Sequence, residues 1–236
     1  MPDNVRMWIE VSFNVTYLVV VWGLVIAMAR RQSIVSLENA PVARRILWAF
    51  ALLALGDTGH VGFRVVAYAL GGLEAHPLLV GLGALATAYT VTLFYVLMLD
   101  IWRIRFDKKY GWFEYLLLAA AAVRLVMMAL PQNEWAHVNP VEPWGIYRNL
   151  PLLVQGIGVM FLILRDALAT QDNTFKWIGA AILVSYACYT PVIFWATQVP
   201  LLGMLMIPKT MAYLAVAFLA YRELYGRPAS LEVATV

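Results

Sequence analysis

The chain reads as an all-α membrane protein, a bundle of seven transmembrane helices forming a single domain over residues 1–236. Three observations predict this. Hydrophobic residues make up 63% of the chain against 13% charged, and the mean hydropathy is +0.75. That balance leaves too little polar surface for a soluble domain of this size. A spanning helix needs about 20 mostly apolar residues, and seven such windows occur, at 8–29, 46–70, 78–101, 112–130, 149–168, 176–197 and 201–222. Finally, Lys and Arg segregate to alternate connections between these windows.

The first window follows "MPDNVRMW", which has neither a basic leader nor a small-residue cleavage site, so it is expected to remain as a helix. The first, third and fifth connections hold or adjoin Arg30, Arg31, Arg44 and Arg45, then Arg103, Arg105, Lys108 and Lys109, then Arg165 and Lys176. The second, fourth and sixth, "GGLEAHP", "PQNEWAHVNPVEPWGIY" and "QVPL", have no Lys or Arg. By the positive-inside rule the basic connections face the cytoplasm, which predicts an outside N-terminus and a cytoplasmic C-terminus. A multi-pass protein of a bacterial inner membrane is the expected setting. Trp8, Trp102, Trp112, Trp144, Trp177 and Trp195 fall near the window ends, where an amphipathic ring prefers to sit. The proline-rich outer connection 131–147 is expected to fold over the bundle mouth as a lid.

The second window carries an acid, an imidazole and a guanidinium in its interior. Asp57, His60 and Arg64 are spaced three and four apart, on one helical face that Tyr68 extends. Gly56, Gly59 and Gly62 lie beside that stripe and predict close approach of another helix, which would bury the polar face in protein. An internal ion-pair network would account for the trio structurally. Ionisable residues inside a membrane cost roughly 2.5–3.5 kcal/mol on insertion scales, which makes them candidate functional groups.

Further cations follow at similar depth in the outer half. Arg124 lies on the fourth window, Arg148 begins the fifth with Asn149 and Gln155, and Lys209 lies on the seventh. Arg64 and Arg124 are each about 9 Å from the outer end of their windows and Lys209 about 12 Å, at 1.5 Å per residue. Singly, each could extend its charge to the headgroups. Together they predict a cationic pocket, since nearby Glu10 and Asp57 do not cancel them. Asn14, on the first window's face with Glu10 and Tyr17, joins the candidate lining. Asn149 is placed to cap the fifth helix, with Pro151 in its first turn, so that helix should present its positive end to the same region. The predicted guest is an anionic small molecule or a lipid headgroup, clamped by guanidinium forks. Pro208 and Pro191 should kink the seventh and sixth helices, leaving Tyr186, Tyr189 and Thr190 to pair freed carbonyls or touch the ligand.

Two family resemblances define alternatives. Seven helices and a lysine in the last are similar to the retinal-binding microbial rhodopsins, and "SYACYTPVIFW" resembles that family's sixth helix. Here, however, Tyr186 stands at the usual tryptophan position, Thr190 precedes Pro191, and Leu205 stands where a carboxylate is expected before the lysine. The run "LLALGD" resembles a motif of lysoplasmalogenases and implies an intramembrane lipid hydrolase with Asp57 as base and His60 as its partner. A transporter is the remaining alternative. The single cysteine, Cys188, excludes a disulfide framework, and Asp57 with His60 falls short of the ligands a catalytic zinc requires. Neither a metal nor another cofactor is expected. Membrane lipids are expected partners; nucleic acid is not, because topology accounts for the basic loops.

Overall fold

A computed structural model describes the backbone of residues 3–226 and the side chains of residues 11–226. Seven of its helices are long and apolar enough to cross a membrane. The elements are α1 (Asp3–Arg30), α2 (Ala40–Ala69), α3 (Pro77–Arg105), α4 (Trp112–Ala129), the single-turn α5 (Trp144–Tyr147), α6 (Leu150–Ala169), α7 (Asn173–Trp195) and α8 (Met206–Tyr225). No strand occurs among the described residues. The chain is an integral membrane protein of the multi-pass helical type.

Local signals explain most boundaries. Prolines occupy the first turn of α2, α3 and α6, where a missing N–H costs nothing and φ is already helical. The Asp172 carboxylate caps α7 by accepting from the Phe175 N–H at 3.0 Å. Glu114 closes α4 from the other direction, accepting from the Gly111 N–H at 2.8 Å. After α2, Gly71 and Gly72 take φ values of 120° and 114°, which only glycine adopts readily, and the chain turns back into α3.

Three expectations need correction here. α2 begins at Ala40, not 46, because Arg44 and Arg45 extend the helix beyond the apolar window and Arg45 pairs with Asp100 on α3. Pro208 does not kink a continuous helix: residues Pro200–Leu205 form a 3₁₀ segment, and Pro208 falls in the first turn of α8. It therefore stands where no intrahelical bond is forfeited. Of the three glycines on α2, only Gly56 and Gly59 meet a neighbour, since a methyl group on Gly62 would touch nothing within 4 Å.

The α2–α3 pair makes the most extensive helix contact in the bundle. A Cβ on Gly56 would lie 1.8 Å from Thr90 Oγ1, and one on Gly83 3.0 Å from the His60 Cα. Around this seam Phe50, Phe94, Tyr95 and Tyr213 pack edge to face, with Phe94 at 5.4 Å from Phe50 and 5.5 Å from Tyr213. At the basic end, acids tie the helices together. Asp100 pairs with Arg45 and Arg103, Asp172 with Arg105, and Asp166 with Arg165 while accepting from Trp102 Nε1 at 2.8 Å.

The connection 131–147 packs on the first turns of α3. The Trp135 carbonyl sits where a Gly81 Cβ would be, only 1.4 Å away. Its indole donates to the Met128 carbonyl at 3.0 Å, and Asn133 bonds the Met127 and Leu130 carbonyls.

The seam yields a direct test. Gly56→Ala is expected to lower stability by about 1–3 kcal/mol through overpacking, read as a drop in the unfolding midpoint in detergent. Gly62→Ala serves as the paired control and should leave the midpoint unchanged or slightly raised.

Candidate functional site

The helical order brings the polar residues of α2, α3, α4, α6, α7 and α8 to the half of the bundle away from the basic end. Asp57 lies on α2 beside the glycine seam. Its two oxygens accept from different neighbours, Oδ2 from the Tyr17 hydroxyl of α1 and Oδ1 from Thr87 of α3, each at 2.8 Å. The seam makes the second bond possible, because Gly56 and Gly59 let α3 approach closely enough for a threonine to reach the acid. His60 is not hydrogen-bonded to Asp57; its Nδ1 is buried without a hydrogen-bond partner. The base and relay that hydrolysis would need are therefore not joined in this structure.

Arg124 is almost fully buried on α4, at 2% exposure. Its guanidinium bridges three segments. Nε donates to the Arg148 carbonyl at 3.0 Å, Nη1 to the Ala88 carbonyl at 3.1 Å and to Thr92 Oγ1 at 2.6 Å, and Nη2 to Asn149 Oδ1 at 3.3 Å. Four of its five N–H groups are thus engaged with neutral acceptors. Asn149 holds the cap position of α6, but its side chain makes no capping bond. Its Oδ1 instead accepts from Arg124 and, at 3.1 Å, from the Tyr189 hydroxyl, while Nδ2 donates to the Gly145 carbonyl at 2.8 Å. The expected cap is replaced by a lateral bridge, since the tertiary partners outcompete the local N–H.

Tyr189 is the hinge of the arrangement. Its hydroxyl is fixed by Asn149, and its ring face carries the Lys209 ammonium at 4.3 Å, with the Tyr213 ring at 5.6 Å on the same cation. Lys209 and Asp57 act on one another electrostatically, yet no ion pair joins them. The Arg148 guanidinium stacks on Trp135 at 4.3 Å. Neither Lys209 nor Arg148 donates a side-chain hydrogen bond to a described residue. Arg64 is half-buried on α2, and its charge acts on His60.

The remaining candidates divide. Tyr186 is buried against Gly156, where its hydroxyl occupies the place of a missing Cβ and donates to the Leu152 carbonyl at 3.2 Å. Gln155 is fully buried, donating to the Thr92 carbonyl at 3.3 Å with its Oε1 left without a partner. Thr190 bonds the Tyr186 carbonyl at 2.8 Å, so none of the Tyr186, Tyr189 and Thr190 hydroxyls goes to the carbonyl that Pro191 leaves free. Asn14 is half-buried on α1 and makes no side-chain hydrogen bond with a described residue. The Glu10 side chain lies outside the described residues. Among those described, no group of three or more His, Cys, Asp or Glu could hold a metal ion.

Four residues of this region escaped the sequence reading as site members. They are Thr87, Thr92, Tyr95 and Tyr213, the last two joined hydroxyl to hydroxyl at 2.8 Å. The signal was the run "ATAYTVTLFY", unusually rich in hydroxyls for a spanning helix, and the spacing of Tyr213 four residues after Lys209. Comparison with family models, curated proteins and solved structures returned no match to this chain.

Arg124 offers the sharpest test of structure against binding. Arg124→Gln should cost about 1.5–3 kcal/mol, the range for hydrogen bonds to a charged group, measured as a lowered unfolding midpoint. Arg124→Lys should recover little of it, because one ammonium cannot span acceptors on α3 and at the start of α6. An unchanged midpoint in both variants would show that the bridge carries no stability.

Proposed function

We propose that this protein is a receptor-like binder of an anionic small molecule or lipid headgroup, which it takes into the outer half of its helix bundle. The observation that carries this reading is the state of Lys209: a cation held over the rings of Tyr189 and Tyr213, with no described carboxylate paired to it. An ammonium has three donors and no acceptor. An aromatic face offsets its charge but uses none of those N–H groups in strong bonds, so they stay free for a carboxylate or phosphate oxygen. Arg148 is in the same condition over Trp135 and supplies a fork for bidentate contact. Tyr189 links the two, since Lys209 lies on its ring and Arg148 is within electrostatic reach of it.

In this reading Arg124 and Asn149 position Tyr189. Asp57 sets how positive the pocket is. Its oxygens accept from Tyr17 and Thr87, and no ion pair joins it to Lys209. The same bonds argue against Asp57 as a hydrolytic base, and His60 stands apart from it.

The orientation follows from the positive-inside rule: the basic connections lie in the cytoplasm and the pocket opens to the outside. Cysteine accessibility in intact cells, on a background with Cys188 replaced by serine, tests it. A cysteine at Lys108 should resist an impermeant thiol reagent and one at Asn139 should react. The reverse pattern would place the pocket at the cytoplasmic surface.

Binding is tested by titrating the detergent-purified protein with lauric acid and with lysophosphatidic acid under native mass spectrometry. At least one should form a discrete one-to-one complex that Lys209→Met abolishes and Lys209→Arg retains in part, because arginine keeps the charge while changing its shape. Equal retention by Lys209→Met would remove the lysine from the site. A visible absorption band after expression with retinal, lost in both variants, would replace anion binding with a covalent chromophore at Lys209.

A further inference from the structure

A surface groove lies at the basic end, remote from Lys209. Between the start of α4 and the last turns of α6 lies a groove of about 540 Å³ lined by Gly111, Trp112, Phe113, Glu114, Phe161 and Arg165. Its level is that of a lipid headgroup, because Trp112 is the first residue of α4 and Arg165 lies four residues before the end of α6. Phe161 stands one turn deeper, with the Arg165 guanidinium 5.9 Å from its ring centroid. The exposed side chains of Val154, Ile157 and Phe161 continue an apolar stripe along α6 into the membrane. The groove thus combines a charged head end with an acyl-chain track.

Its charges select the head. Arg165 gives Nε and Nη2 to Asp166, at 3.2 and 2.8 Å, and Nη1 makes no hydrogen bond to a described residue. Glu114 is more than nine-tenths buried, and only its Oε2 is used, on the Gly111 N–H. Lys108 lies 3.7 Å from Asp166, so two cations and two carboxylates balance around the groove. A guanidinium N–H and a carboxylate oxygen on the lining of one groove match a headgroup that carries both signs. A purely anionic headgroup would meet the Glu114 charge without compensation.

We propose that this groove holds a phospholipid with a zwitterionic primary-amine headgroup, its phosphate on Arg165 Nη1 and its ammonium on Glu114. A primary ammonium donates hydrogen bonds to the carboxylate, whereas a quaternary one has no N–H to give.

The experiment is native mass spectrometry of the full-length protein in detergent, titrated in parallel with phosphatidylethanolamine, phosphatidylcholine and phosphatidylglycerol of one chain composition. Phosphatidylethanolamine should bind about tenfold more tightly than the other two, the difference expected of one charge-assisted hydrogen bond. Glu114→Gln keeps an acceptor for the Gly111 N–H, so it should fold, and it should abolish the preference over phosphatidylcholine. Arg165→Gln removes the cation beneath the phosphate and should weaken all three lipids, and because Arg165 is half-exposed in its pair with Asp166 the unfolding midpoint in lipid-free detergent should change little. Phosphatidylglycerol binding as tightly as phosphatidylethanolamine would overturn the proposal in favour of plain anion attraction. Equal binding of all three, unaffected by either variant, would reduce the groove to ordinary annular contact.

Discussion

Close contact between α2 and α3 is the constraint on which the interior depends. Lipid supplies no hydrophobic drive for helix association, so packing and buried polar contacts must hold the helices together. Gly56 and Gly83 provide the approach, and Thr90 and the His60 backbone fill the space that their missing side chains leave. The same approach delivers Thr87 to Asp57, completing the acid's pair of donors with Tyr17. A wider seam would leave that carboxylate short of a partner in a low-dielectric interior, where an unmet acceptor is costly.

The other faces of α3 extend the same logic across the bundle. Thr92 and the Ala88 carbonyl receive the Arg124 guanidinium, and through Arg124 the start of α6 is drawn to α3 and α4. Asn149 then passes the constraint to Tyr189 on α7, whose ring underlies Lys209 on α8. A chain of neutral acceptors thus fixes Arg124 and, through Asn149 and Tyr189, underlies Lys209. At the basic end the rule is different: Asp100, Asp166 and Asp172 pair directly with arginines. One end is neutralised by ion pairs, whereas Arg124, Arg148 and Lys209 in the other half are held by carbonyls, hydroxyls and aromatic faces. Such contacts stabilise a cation without cancelling its field, and the proposed anion site rests on that property.

Seven spans were legible because bilayer thickness imposes a length that composition reveals directly. Helix ends were less so. The apolar window placed the start of the second helix at 46, yet Arg45 has an acid to meet on α3 and the helix runs back to Ala40. Local rules assigned Asn149 to a cap and Pro208 to a kink. The amide has stronger company in Arg124 and Tyr189, and the proline falls where α8 is just beginning. These departures share a cause, since each local preference of about 1 kcal/mol competes with tertiary contacts of equal or greater strength.

By itself the sequence determined that this chain spans a membrane seven times, that its basic connections alternate, and that Asp57, His60 and Arg64 share a helical face. Those properties depend on composition and on the 3.6-residue period, which need no partner helix to define them. Only the tertiary structure decided that Asp57 answers to Tyr17 and Thr87 instead of His60, that Arg124 is consumed as a bridge, and that Lys209 rests on tyrosine rings. Partner choice across helices depends on rotation and depth of one helix against the next. Glycine and threonine positions on separate spans set these jointly, and no single segment carries them.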